Sequence, residues 1–423
     1  MEGLRVGIDI RALQSAGGSA ERGIGRYVTD LVVGLRDHAP EISPILFGLA
    51  GRPVPKALAG LEVVPVTGPI FAELPRPWFG GIPKLRSSST LWGRRHRAAR
   101  AELLAGLTSA VAKTRLDVLH FPSAVDVGSY PEVESDVPQV RTFLDAIPYR
   151  LREPYFDRWP AFMQAYYREQ LDGLQRAKLV VAISRASADD ARDLAHVPED
   201  RVRIVYPSVD DRYRDSVSGA PPFDLVPEKY VLFCSVPDVH KNPEVAIEAF
   251  ARAEMDRSIG LVFVSPLDRE ESGEMIRLAD RLGVGDRFVV TGHIPEDRMP
   301  ALFAGALALL SPSQMEGFGL PAAQAMAAGT PVIASEESAL GEIVGGRGLV
   351  GGESVAAGAT ASACDVEAFA RHLRAIATDP MIRAQYVALG RRRAELFTAQ
   401  RQAQALSAIY FEAAGRSSTR PSA

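Results

Sequence analysis

Two cysteines in 423 residues, Cys234 and Cys364, are too few and too far apart for a disulfide framework or a cysteine-built metal site. A reducing cytoplasm is the compartment expected of such a chain. Charge of one sign is also scarce. The 48 Lys and Arg against 52 Asp and Glu leave a formal −4, which gives no overall pull towards nucleic acid. No apolar run reaches the ~18 residues of a membrane span. The opening MEGLRVGIDIRAL carries charges inside its apolar run, unlike a secretory leader. The histidines (38, 96, 120, 196, 240, 293 and 372) stand at no metal-ligand spacing, and no Asp-x-Asp pair occurs. No Ser-His-Asp or Cys-His set stands out. These absences exclude a disulfide scaffold, an integral membrane protein and a metal site legible in the sequence.

What remains has the balance of a soluble globular protein, 47% hydrophobic and 24% charged, long enough for two domains. Short β-rich runs alternate with helical patterns. In the first half the predicted strands are Leu4 to Asp9, Ile45 to Leu49, Glu62 to Val66, Asp117 to Phe121, Val140 to Asp145, Lys178 to Ser184 and Val202 to Tyr206. A second series reads Tyr230 to Ser235, Ile259 to Ser265, Arg287 to Thr291, Ala306 to Ser311 and Pro331 to Ser335. Several are almost continuously apolar, as strands buried on both faces of a parallel sheet must be. Ile24, Tyr27, Val28, Leu31, Val32 and Leu35 form one helical stripe. The fold class expected is α/β, two doubly wound Rossmann-like domains facing a central cleft, with C-terminal helices. The boundaries expected are 1–212 for the N-terminal domain, 213–228 for a linker and 229–396 for the C-terminal domain. A helix over 397–414 is expected to return to the first domain, and 415–423 to form a disordered tail.

The segment Glu316 to Ser335, EGFGLPAAQAMAAGTPVIAS, is the most informative. Gly317 and Gly319 free the backbone before a helix beginning near Leu320 and Pro321, where a proline's missing N–H is harmless. Exposed amides and the helix dipole at such a start suit a diphosphate. Glu316 stands at the mouth of the loop, able to accept hydrogen bonds from sugar hydroxyls, and Gln324 lies further along the helix. A Gly-rich turn before an Ala-rich packing helix is the bland alternative.

Pro312 to Gly346, PSQMEGFGLPAAQAMAAGTPVIASEESALGEIVGG, resembles the signature of glycosyltransferase family 4, the retaining family with the GT-B fold. Further matching pieces follow in family order and span nearly the whole chain: GIDIRA, RGIGRYVTDLVVGL, DVLHFP, LDAIPYR, LVVAISRAS, RVRIVYPSVD, HKNPEVAIEAF and VTGHIPEDRMPALFAGALALLSPS. The resemblance implies sugar transfer from a nucleotide-diphosphate sugar to an acceptor hydroxyl with retention, independent of metal and without a further cofactor. It implies that Glu316 contacts the donor sugar, and that amides around Gly317, Phe318, Gly319 and Leu320 face the sugar and diphosphate. Lys241 and its neighbour His240 would meet the diphosphate. Gly23, Ile24 and Gly25 of the RGIGR loop would approach the donor across the cleft, and Asp145 would line the acceptor side.

Three departures predict an altered grip. Gln324 stands where the family has a second Glu for the ribose, and Ser235 with Val236 where it has Gly-Arg. Leu144 stands where it commonly has His before the Asp. A neutral amide bonds a hydroxyl more weakly than a carboxylate does, and losing a preorganised cation lowers a rate by ~10²–10³-fold. A non-catalytic homologue acting as a binding or partner subunit is therefore the alternative function. A GT-B enzyme of another reaction is a third, with no acid-base set to support it.

Pro75 to Arg100 is basic, carries Trp78 and Trp92 and lacks acidic residues. It reads equally as a solvated surface segment or as a contact with an anionic acceptor or with the inner face of the cell membrane. Nucleic acid is disfavoured as a partner. The acceptor class stays open between a carbohydrate, a lipid-linked glycan and a small molecule. The GIDIRA and RGIGRY openings resemble mannosyl-type bacterial members, which tilts the donor towards GDP-mannose.

Overall fold

A computed structural model describes residues 3–14, 23–68, 89–125, 133–216, 226–236, 238–265, 272–352 and 354–417, the side chains of 89–97 excepted. Most of the basic stretch Pro75 to Arg100, Arg22 of the RGIGR loop and residues 418–423 of the expected tail lie outside these residues. The chain divides into two compact units, one of residues 1–208 with 399–423 and the other of 209–398.

The first unit is built on a parallel seven-stranded sheet. Its strands are β1 (Leu4–Asp9), β2 (Ile42–Leu49), β3 (Glu62–Val66), β4 (Val118–Phe121), β5 (Gln139–Phe143), β6 (Leu179–Ala182) and β7 (Val202–Ile204). They lie in the order β3-β2-β1-β4-β5-β6-β7. Every residue of β4 and β6 is buried, which explains their unbroken apolar sequences, because helices cover both faces. The edge strand β3 is mostly open and tolerates Pro65 there. Pro44 in β2 stands one residue before pairing with β3 begins at Ile45, so its missing N–H breaks no bond to that neighbour.

The helix Ala399–Ala413 returns to this first unit and packs along the helix Gly23–His38. Gly34 permits the approach, since a Cβ there would stand 3.4 Å from the Ala399 carbonyl oxygen. A buried polar chain ties the two helices to the sheet. His120 on β4 bonds the Tyr410 hydroxyl through Nδ1 (2.7 Å) and Thr142 Oγ1 on β5 through Nε2 (2.9 Å). Tyr27 reaches the same threonine at 3.3 Å. His120 is thus a satisfied structural histidine, as its place at the end of a buried strand suggests.

The second unit holds a parallel six-stranded sheet. It comprises β8 (Lys229–Cys234), β9 (Ile259–Val264), β10 (Phe288–Val290), β11 (Ala308–Ser311), β12 (Val332–Ser335) and β13 (Ala359–Ala361), ordered β10-β9-β8-β11-β12-β13. All the strands read from the sequence are present; β13 was not among them, being three residues of Ala and Thr whose pairing with β12 supplies what propensity does not. Phe233 and Phe263 stack at 4.3 Å in the core beneath the helices Pro243–Arg252 and Val366–Thr378.

Burial holds the His120 imidazole neutral down to about pH 3. An unfolded histidine takes its proton near 6.5. Below that pH the unfolded chain therefore binds a proton that the folded one refuses, and stability falls as pH drops through this window, by up to about 1.4 kcal/mol per pH unit. We expect His120→Gln to lose less stability than the wild type between pH 6.5 and 4 in urea unfolding. Parallel losses in the two proteins would contradict this role.

Candidate functional site

In the second sheet β8 and β11 are neighbours from which the strand order runs in opposite directions, the place where a doubly wound sheet leaves room for a ligand. The chain leaves β8 through Ser235 and Val236 and forms a short turn, Val239–Lys241. Asn242 follows in the left-handed region at φ 57°, which asparagine tolerates better than most residues. Its side-chain amide donates to the carbonyls of Ala363 (2.7 Å) and Pro312 (3.3 Å), the second belonging to the loop after β11. The His240 carbonyl accepts from the Gln314 amide at 2.7 Å, and His240 Nδ1 lies 3.1 Å from Asp238 Oδ1. The turn carrying Lys241 is thereby bound to the loop carrying Glu316.

That loop presents its carboxylate in a set geometry. The Glu316 amide donates to Ser338 Oγ at 2.9 Å, and Ser313 Oγ donates to Glu316 Oε1 at 2.8 Å. Lys241 Nζ donates to both carboxylate oxygens, at 2.7 and 2.8 Å. The two side chains are 21% and 11% exposed, so the pair is largely sheltered from water. Lys241 and Glu316, singled out separately for a diphosphate and a sugar, compensate one another here. Ser313, Ser338 and Asn242 were not singled out. The serines carried no signal because their roles depend on where the loops meet, whereas Asn242 was legible as an Asn-Pro helix entry.

Gly319 precedes the helix Leu320–Ala328 at φ 93°, and a Cβ on it would stand 2.5 Å from Leu340 Cδ2. Only glycine meets both demands. Phe318 turns inward and meets Phe397 edge to face at 5.2 Å, anchoring the loop from below. Among the described residues the Gly319 and Leu320 amides find no protein acceptor, so two donors stand ready at the positive end of the helix dipole. Gln324, 8% exposed, lies further along with its side-chain amide making no protein hydrogen bond among the described residues. Ser235 Oγ donates to the Val236 carbonyl at 3.1 Å. A small pocket between Cys234, Ser235, Ser313, Glu316 and Pro321 has room for about one water, about 10 Å³. Burial pushes the Cys234 thiol up to about 12, against the pull of Lys241, so it is no nucleophile at neutral pH.

Asp145 and Gly23 to Gly25 belong to the first unit. Gly23, Ile24 and Gly25 form the first turn of the helix Gly23–His38. Asp145 follows β5, and its Oδ1 accepts from the Ile147 amide at 3.0 Å.

Two Rossmann-like units, one with a sheltered cation–carboxylate pair beside open amides, define a GT-B glycosyltransferase fold. Residues 22–213 match the family model described as Glycosyltransferase Family 4, and residues 224–393 that described as Glycosyl transferases group 1. The chain belongs to glycosyltransferase family 4. An MMP alpha-(1->4)-mannosyltransferase of Mycolicibacterium hassiacum is 28% identical over 286 residues, 65% of this chain and 64% of that protein. The chain thus spans less than two thirds of that curated relative's length. Sucrose-phosphate synthase from Thermosynechococcus elongatus shares the fold with a TM-score of 0.70 over 97% of this chain and 98% of its own, at 18% identity. Anabaena HepE in complex with UDP-glucose does so at 0.65 over 96% and 99%, at 16% identity.

Removing one partner of a sheltered pair leaves the other charge uncompensated. We expect Lys241→Met to lower the stability of the second unit by about 1–3 kcal/mol, and Lys241→Met/Glu316→Gln to recover most of that loss in chemical unfolding. Additive losses in the double variant would show that the two groups are not coupled. Gly319→Ala, strained in φ and in contact with Leu340, should lower stability by about 1–3 kcal/mol as well.

Proposed function

We propose that the protein is a retaining glycosyltransferase moving a hexose from a nucleotide-diphosphate sugar to an acceptor hydroxyl. The observation that carries this reading is the Lys241–Glu316 pair beside the open Gly319 and Leu320 amides at the switch point of the second sheet. The acceptor oxygen attacks the anomeric carbon on the face the diphosphate leaves. As the carbon–oxygen bond to the diphosphate breaks, the acceptor proton passes to a diphosphate oxygen. Lys241 and the two amides meet the charge that develops on the leaving group, and Glu316 turns to the sugar hydroxyls. With those donors in place the reaction runs without a metal, in keeping with a sequence that has no Asp-x-Asp pair.

The named mannosyltransferase relative, together with the GIDIRA and RGIGRY openings, favours GDP-mannose as donor; the neighbour solved with UDP-glucose makes a uridine donor the first competitor. The cytoplasm, where nucleotide sugars are available, is the compartment proposed; no helix among the described residues is long and apolar enough to cross a membrane. The second reading is a non-catalytic binding subunit. Val236 and Gln324 favour it, because they leave Lys241 as the cation beside the loop and a neutral amide for the ribose.

Thermal-shift and turnover assays against GDP-, UDP-, ADP- and dTDP-sugars separate the two. Stabilisation with donor consumption supports transfer, and stabilisation without consumption supports the binding subunit. No response to any nucleotide would sink both. Glu316→Gln keeps the loop's backbone bond to Ser338 and is expected to lower turnover at least 100-fold with the melting temperature changed by only a few degrees. Unchanged turnover would refute the role of Glu316.

A further inference from the structure

Among the described residues, His196, Asn242, Glu254 and Ser338 are those other than glycine that hold a positive φ. His196 and Glu254 follow the ends of the helices Arg185–Asp193 and Pro243–Arg252, where a left-handed residue is routine. Asn242 is of a type that accepts the conformation. Neither circumstance applies to Ser338. It stands at φ 50° and opens the helix Ser338–Ile343 instead of following one.

The neighbours on both sides enforce this turn. Glu337 accepts from the Ala363 amide through both carboxylate oxygens, at 2.9 and 3.0 Å, and from Ser362 Oγ at 3.0 Å. Those two residues follow β13, and the Ala363 carbonyl in turn takes the Asn242 side chain. On the other side Ala339 and Leu340 are fully buried, and Leu340 packs against Gly319. Ser338 is thus confined between a carboxylate clamp and two buried side chains. A serine forced into the left-handed region gives up stability, and such strain persists where the surroundings over-determine it. What it gains is direction, because its Oγ accepts from the Glu316 amide at 2.9 Å. Glycine would take the same backbone freely but carries no acceptor.

Resting on the glycosyltransferase reading, we propose that Ser338 is a positioning residue, kept in a strained backbone state so that its hydroxyl fixes Glu316 during transfer. In the resting site Lys241 and Ser313 both hold the Glu316 carboxylate. When Lys241 turns to the departing diphosphate, the ammonium no longer orients that carboxylate. Ser313 then holds one oxygen, and Ser338 fixes the backbone from which the side chain springs. The carboxylate keeps its aim at the sugar hydroxyls at the moment the reaction needs it.

Ser338→Gly and Ser338→Ala both remove Oγ, and only the first relieves the backbone. Each is compared with the wild-type full chain in three measurements. These are consumption of GDP-mannose, UDP-glucose, ADP-glucose and dTDP-glucose, calorimetric affinity for GDP, UDP, ADP and dTDP, and melting temperature. The kcat on the donor that the wild type consumes is expected to fall at least tenfold in both variants. Affinity for the matching nucleoside diphosphate should stay within twofold, because Lys241 and the Gly319 and Leu320 amides are untouched. Ser338→Gly should melt within about 2 °C of the wild type or above it, and Ser338→Ala at least about 2 °C below Ser338→Gly. Wild-type kcat in Ser338→Gly would overturn the proposal, since the hydroxyl would then be merely structural. A parallel loss of nucleoside diphosphate affinity, or equal melting of the two variants, would overturn it as well. A wild type that consumes none of the four nucleotide sugars fails earlier, at the glycosyltransferase reading itself, and takes this inference with it.

Discussion

Strands covered by helices on both faces have nowhere to present polar chemistry except their ends. Both sheets are parallel, and strands such as β4, β6 and β9 are buried along their whole length. The groups able to meet a ligand are therefore confined to loops at the carboxyl ends. In the second sheet the order reverses between the neighbouring strands β8 and β11, so the loops after them lie side by side, one carrying Lys241 and the other Glu316. That single constraint explains why residues 75 positions apart in sequence meet in one hydrogen-bonded pair.

The pair is a balance of opposing effects. Sheltering an ammonium and a carboxylate costs solvation, which their mutual attraction and the Ser313 bond offset. The arrangement leaves each charge compensated until a ligand competes for it. The loop geometry that exposes the Gly319 and Leu320 amides depends on Gly319, whose left-handed backbone and contact with Leu340 leave no space for a side chain.

The first unit solves a different problem. Its buried polar groups His120, Thr142, Tyr27 and Tyr410 satisfy one another and fasten two helices to the sheet. Tyr167 does not share in such a network: its hydroxyl has no hydrogen-bond partner among the described residues, and its ring packs in an aromatic cluster instead.

Periodicity made the architecture legible in the sequence. Continuous apolar runs of β width alternate with helical stripes, and this pattern follows from burial on both faces whatever the details of packing. The glycines and proline of EGFGLP likewise declared a helix entry, because few residues satisfy a positive φ or a missing N–H. The three-residue β13 escaped notice, since Ala-Thr-Ala becomes a strand only through its partner β12. The sequence also named Lys241, Glu316 and Asp145 as separate candidates. Tertiary structure alone decided that the first two pair and that Ser313 and Ser338 hold them. Patterns along a chain record which faces are buried, whereas the partners of a polar atom depend on which loops the sheet order brings together.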